Sequence, residues 1–306
     1  MAIFSCNSIY PAHGGDKPKQ DIVDNLLRLK PDLLFFAGDQ VYDHSDHLGY
    51  WLRFGREFGD IIRVTPTITI PDDHDIGQGN LWGAGGIKAS WRDGSSGGYY
   101  MPVSYIQEVE RAQTSHLPDP YDPTPIGQGI GVYYTDLKWG GMSFAILEDR
   151  KFKTGPEPIR QRVRDENKGK PFSQIDPAEF DDPDAVLLGQ RQLSFLEDWT
   201  TDWEDAEMKS VLSQTVFAMT ANYGGPNKNR VTMDFDSNGW PQSGRNRALR
   251  VIRKSYSTMI GGDQHLATVL HHGIDDWNDA GYSFVMPAVA NFWTRWWLPD
   301  ACLLYT

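Results

Sequence analysis

The chain has 306 residues, 40% hydrophobic and 23% charged, enough to bury a substantial core and too apolar for a disordered chain. A formal net charge of -12 disfavours nonspecific binding to nucleic acid or anionic lipid, because no summed positive field draws phosphate backbones in. Cys6 and Cys302 are too few for a disulfide scaffold, and no apolar run approaches the roughly 20 residues of a membrane span.

Residues 2–5 form a short apolar run ending in Cys6-Asn7, and residues 21–30 place Ile22, Val23, Leu26, Leu27 and Leu29 on a helical face that Pro31 stops. The continuous apolar run 33–37 predicts a strand buried on both faces, closed by Gly38-Asp39, so this stretch reads as a β-α-β unit. A helix over residues 50–58 leads to a β-branched strand at 67–70, which Pro71 closes before Asp72-Asp73-His74-Asp75. Residues 76–131, dense in Gly, Pro, Tyr and Trp, read as a long functional loop. Strands at 132–135 and 142–147 are expected to pair around Lys138-Trp139-Gly140-Gly141, with Glu148-Asp149-Arg150 at the exit. A polar insertion over 151–184 precedes a helix at 190–199, with Leu193, Leu196 and Trp199 on one face, and then a strand at 210–217. Residues 222–243 have the composition of a surface excursion and 245–253 predict a basic helix. A last short strand at 258–260 runs into Gly261-Gly262-Asp263-Gln264-His265.

Strands alternating with helices predict an α/β sheet, and such sheets bind ligands beyond the carboxyl ends of their strands. Cys6, Asp39, Asp73 and the Asp263-Gln264-His265 turn all fall there. Two neighbouring cations need an anionic group able to bridge them, and Asp39 is the candidate. Tyr42, three residues on, offers a phenolate suited to Fe(III), and Cys6 a thiolate suited to a transition metal. Singly, each residue has a plainer reading: a buried Cys, a packed Tyr, a turn or cap Asp. His44, His47, His271 and His272 have no motif around them and read as surface or core histidines. Four strand-end coincidences outweigh four separate plain readings.

Gly38-Asp39-Gln40-Val41-Tyr42-Asp43, Asp72-Asp73-His74-Asp75, Leu188-Gly189-Gln190-Arg191-Gln192-Leu193 and Gly262-Asp263-Gln264-His265 together resemble the alkaline phosphatase D (PhoD-like) branch of the calcineurin-like metallophosphoesterases, in order through residues 2–297. The resemblance implies an α/β, calcineurin-like fold: a two-layer β-sandwich flanked by helices, with long loop insertions, in a single domain over residues 1–306. In that branch a Cys after the first strand replaces an Asp-x-His, the place Cys6 holds. By resemblance, Cys6, Asp39 and Tyr42 hold an iron, Asp39 is shared with a second metal, Asp73 binds that metal, and Asp263 and His265 complete the last motif. The implied cofactors are Fe(III) and Ca(II), with Zn, Mn or Mg as alternatives at the second site. His74 falls beside the leaving group, and Asn80 and Arg150 face substrate. Gln214 stands where other relatives place a histidine ligand. Relatives commonly carry an N-terminal β-domain and extend past residues 293–299, which marks 301–306 as a candidate truncated edge.

The expected activity is metal-dependent hydrolysis of phosphate monoesters or diesters, a metal-activated hydroxide attacking phosphorus while protonated His74 assists the leaving oxygen. Alternatives are a phospholipase or teichoic-acid-like phosphodiesterase, for which the Trp- and Tyr-rich residues 82–105 supply an apolar rim, and a catalytically silent module that binds metal and phosphate esters. The expected partner is a small-molecule or polymeric phosphate ester, with no specific nucleic-acid partner and no membrane span; oligomeric state is open. The chain as given reads as cytoplasmic, or as secreted or periplasmic if a signal has been removed.

Overall fold

The apolar runs become the inner strands of two sheets packed face to face. A computed structural model describes residues 1–171, 174–218, 221–231 and 234–298. Cys302 and the 301–306 tail lie outside the described residues. In chain order the strands are β1 (Ala2–Asn7), β2 (Leu34–Phe36), β3 (Thr67–Thr69), β4 (Thr135–Trp139), β5 (Met142–Ile146) and β6 (Met208–Leu212). They continue as β7 (Tyr223–Gly224), β8 (Asn229–Arg230), β9 (Thr258–Gly261), β10 (Thr268–His272), β11 (Gly281–Val285), β12 (Ala288–Ala290) and β13 (Arg295–Trp296). The helices are α1 (Gln20–Leu29), α2 (His47–Glu57), α3 (Gly59–Ile62), α4 (Val103–Thr114), α5 (Glu157–Glu166), α6 (Gly189–Thr201) and α7 (Gln242–Ile252).

One sheet has the order β12-β1-β2-β3 and is parallel throughout. The other runs β10-β11-β9-β6-β5-β4, parallel in its centre and antiparallel at both edges. Strands alternate their side chains between faces, so Phe35, Ala37, Ile68 and Ile70 of the first sheet meet Phe144, Ile146, Leu212 and Ile260 of the second. The opposite faces are helix-covered. Leu34 and Phe36 pack on Val23, Leu26, Phe54, Phe58 and Ile61 from α1, α2 and their surroundings. Ala145, Val211 and Met259 pack on Phe195, Leu196 and Trp199 of α6 and Ala248, Leu249 and Ile252 of α7. Burying such side chains at roughly 1.5–3 kcal/mol each is the main force holding the layers together. A short third sheet, β13-β7-β8, lies outside this sandwich.

Several boundaries differ from expectation. The strand expected at 132–135 is β4, which starts at Thr135 and absorbs Lys138 and Trp139, leaving Gly140 and Gly141 as the turn. The strand expected at 210–217 stops at Leu212, because Ser213, Gln214 and Thr215 turn inward as buried polar groups. The strand at 258–260 is not the last, since β10 to β13 follow it. The 76–131 loop contains α4, which buries Ile106 and Val109, and the 151–184 insertion contains α5, which buries Ile159 and Val163. Among the described residues no helix is long and apolar enough to cross a membrane.

Candidate metal centre

The carboxyl ends of both sheets converge on one buried locus. Cys6 is the penultimate residue of β1, Asp39 follows β2, Asp72 and Asp73 follow β3, and Asp263 and His265 follow β9. Cys6, Asp39, Asp263 and His265 adopt left-handed backbone, with φ of 58, 62, 61 and 55°. Non-glycine residues rarely occupy this region, so four such residues at three convergent strand ends point to a site rather than to ordinary loops. Packing holds the turns rigidly. Gly38, at φ 111°, leaves room where an added Cβ would sit 2.3 Å from Asp72 Cβ, and at Gly262 a Cβ would meet Ser5 Cβ at 2.4 Å. Buried Asp75 fastens two loops together: its carboxylate accepts from the backbone N–H of Asp39 (2.7 Å), Val41 (2.9 Å) and Asp72 (2.9 Å).

Three donor sets overlap here: Cys6, Asp39 and His265; Asp39, Asp73 and His74; and Asp72, Asp73 and Asp263, with the donor atoms in each set within 4.8 Å of one another. Asp39 belongs to the first two sets and Asp73 to the last two, so each stands where neighbouring donor sets meet. The Tyr42 hydroxyl donates to Asp39 Oδ2 at 2.7 Å and accepts from Asn291 Nδ2 at 3.0 Å. His265 Nδ1 lies 2.7 Å from the Trp293 carbonyl. A carbonyl only accepts, so Nδ1 carries the proton and Nε2 keeps its lone pair, the tautomer a metal-ligating histidine needs.

The electrostatics call for a cation. Burial, then repulsion by Asp72, Asp75 and Asp263, pushes Asp39 well above the usual carboxylate range. Burial, then Asp39, Asp263 and Asp236, does the same to Asp73. Burial and the Asp39 charge also raise Cys6 and Tyr42 well above their ordinary values. Buried carboxylates this close cannot all ionise without a compensating charge, and a bound cation would reverse each of these shifts. The donor set fits metal: carboxylates throughout, with a thiol, a phenol and an imidazole gathered on one side.

Arg150 departs from its expected place. It is only 1% exposed and donates to Asp72 (2.8 and 3.2 Å), to Asp263 (2.9 Å) and to Asp236. Its donors go to these three carboxylates and to the Asp236 backbone carbonyl, so it balances charge beneath the centre instead of facing substrate. Asn80 is exposed, and its backbone carbonyl accepts from Gln78; it joins none of the donor sets. Gln214 is buried with its oxygen on the Asp149 N–H (3.0 Å) and its nitrogen on the Pro71 carbonyl (3.1 Å), which removes it as a ligand candidate. His44, read as an ordinary histidine, stands with Nε2 3.3 Å from His74 Nδ1. The His74 ring stacks on Tyr42 with centroids 4.2 Å apart. Burial, then His44, pushes His74 down to about 3, so it rests as a neutral imidazole rather than the protonated one expected. Sequence reasoning also missed Asp236 and Asn291, which carry no local motif, and passed over Asp75 although it ends the Asp72-Asp73-His74-Asp75 motif.

The profile described as PhoD-like phosphatase matches residues 51–293. That span begins after Tyr42, so Cys6, Asp39 and Tyr42 rest on the geometry above. A dimetal phosphatase from Danio rerio is similar at TM-score 0.49 and 11% identity, over 91% of this chain and 79% of that one. A purple acid phosphatase isolated from yellow lupin (Lupinus luteus) seeds is similar at TM-score 0.54 and 14% identity, over 94% of this chain and 41% of that one. The lupin likeness shows an α/β metallophosphoesterase-like fold, with this chain spanning less than half of the lupin chain. No curated protein matches the chain.

Proposed function

The chain belongs to the PhoD-like phosphatase family, and on that premise we propose a phosphate-ester hydrolase whose two cations are held by Cys6, Asp39, Tyr42, Asp73, Asp263 and His265. One observation carries the reading: donor sets overlapping on Asp39 and Asp73 at the joined carboxyl ends of both sheets. Cys6, Tyr42 and His265 around Asp39 make the softer half, which supports Fe(III) there; Asp72, Asp73 and Asp263 make an all-oxygen half, which supports Ca(II), with Zn, Mn or Mg as alternatives. Bound cations of this kind offset charge on phosphoryl oxygens and lower the pKa of coordinated water to about 7.

The chain's own residues orient and exclude. Asn291 and Asp39 fix the Tyr42 hydroxyl from two sides. His44 at Nδ1 and Tyr42 across the ring face hold His74, so that its other nitrogen is aimed by contacts that do not depend on substrate. In the tautomer where His74 Nδ1 accepts from His44, Nε2 carries the proton and donates a hydrogen bond to the departing oxygen. Arg150 pairs with Asp72 and Asp263 and holds both carboxyl groups in place. The test is hydrolysis of p-nitrophenyl phosphate and bis-p-nitrophenyl phosphate with and without a chelator. Activity should vanish with chelator and return with metal, and chelator-insensitive turnover would overturn the reading. The ratio of the two kcat/KM values separates a monoesterase from a diesterase.

A further inference from the structure

Directly after Asn291 come two large exposed aromatic side chains, Phe292 (62% exposed) and Trp293 (54%). Their place is set by the candidate centre itself. Asn291 donates through Nδ2 to the Tyr42 hydroxyl at 3.0 Å while its Oδ1 accepts the Trp293 N–H at 2.8 Å, and the Trp293 carbonyl accepts from His265 at 2.7 Å. Two candidate ligands thus hold this tripeptide by its polar atoms and leave its rings at the rim. The tip of the Phe292 ring lies near Gly14 and the six-membered ring of Trp293 near Gly225, and both side chains stay more than half exposed. Tyr10, also exposed and donating to the Tyr42 carbonyl at 3.2 Å, extends the apolar rim on the same side.

Singly exposed aromatics are ordinary, and Trp277 on the β10–β11 connection is one. Adjacent rings on a backbone tied by hydrogen bonds to candidate ligand residues beside a polar, charged centre are different, because pockets pair a few polar groups with apolar walls that take the rest of the ligand. We propose that Phe292 and Trp293 are specificity-determining residues that bind the alcohol portion of the substrate, and that the substrate is a phosphate ester of an apolar, aromatic or alkyl, alcohol. The inference rests on the phosphoesterase reading and deepens it.

The test compares 2-phenylethyl phosphate with ethyl phosphate, whose leaving alcohols are similar in acidity, on the metal-reconstituted full chain. The wild type should favour the phenylethyl ester by about tenfold in kcat/KM, mostly through KM, the factor expected for half-burying one ring. The Phe292→Ala/Trp293→Ala double variant should bring the ratio close to one, Phe292→Leu should keep part of it, and Trp277→Ala should leave it alone. A wild-type ratio near one, or a preference that survives the double variant, overturns the proposal. So does a double variant that loses binding to anionic lipid vesicles with its ratio intact, which would assign the rings to a lipid surface. If thermal melting shows the double variant unfolded, Phe292→Ala alone carries the test. If the wild type hydrolyses neither ester, the phosphoesterase reading falls by itself. Calorimetric binding of the two esters to wild type and variant then decides the proposal by the same ratio.

Discussion

Arg150 reaches the Asp263 carboxylate at 2.9 Å from a side chain that is almost fully buried. The same guanidinium holds Asp72 and Asp236, so one cation balances three carboxylates beneath the candidate centre. Removing one partner of a buried ion pair costs about 3–5 kcal/mol, because the remaining charge is left uncompensated. Arg150→Met should therefore lower the unfolding free energy of the metal-free protein by about that amount. Arg150→Lys should recover only part, since an ammonium cannot fork across Asp72. Urea denaturation reads both, and a loss below about 1 kcal/mol would show that the network is not stabilising.

Gly38→Ala tests the packing between the loops that carry Asp39 and Asp72. An alanine Cβ would meet Asp72 Cβ at 2.3 Å and would be forced to φ 111°. We expect a loss of about 2–3 kcal/mol and a fall in bound metal, because relief of the clash must move Asp39 or Asp72. Gly55→Ala in α2, where the added methyl meets nothing within 4 Å, should instead stabilise by about 0.5–1 kcal/mol. Denaturation curves and metal content of the two variants give opposite signs if the packing is as described.

What the sequence displayed is what is local. The run 33–37 ending in Gly38-Asp39 marks both a doubly buried strand and its turn, because parallel strands are apolar on both faces and their ligands follow immediately. Helix α4 was hidden because Ile106 and Val109 stand among Gly- and Pro-rich neighbours that argue for loop. Strands β10 and β11 were hidden because most of their residues are only partly buried, giving no clean alternation. The role of Arg150 was out of reach for a different reason. Its partners lie 78, 86 and 113 residues away, and no spacing rule joins residues that only the closed sandwich brings together.

Glu148 supplies a pH signature that does not depend on metal. Burial, against the opposing pull of Lys151, raises its carboxyl from 4.5 to about 7. A group whose folded pKa lies above its unfolded value binds its proton more tightly when folded. Its contribution is fully present below about 4.5 and is lost as pH rises through about 7. Stability should fall across that window, by on the order of 3 kcal/mol from this group. Glu148→Gln keeps an oxygen to accept the Tyr133 N–H, now at 2.8 Å, and should flatten the profile. Equal slopes in wild type and variant would assign the pH dependence elsewhere.

Tyr42 links the metal assignment to a colour. Its hydroxyl donates to Asp39 at 2.7 Å, and burial followed by the Asp39 charge holds the phenol well above its usual pKa. A phenolate would therefore form only with a strongly Lewis-acidic cation held by Tyr42 and Asp39, a requirement that Fe(III) would meet better than Ca(II) or Mg(II). Iron-loaded protein should show a visible phenolate-to-iron absorption band. Tyr42→Phe should abolish the band while the fold, read by circular dichroism, persists. Asn291→Ala, which removes the 3.0 Å donor to the Tyr42 oxygen, should leave the band present but shifted, because that hydrogen bond lowers the electron density on the ligating oxygen. A colourless wild type that nonetheless retains stoichiometric iron would rule out Tyr42 as a ligand and leave Cys6, Asp39 and His265 to hold the metal without it.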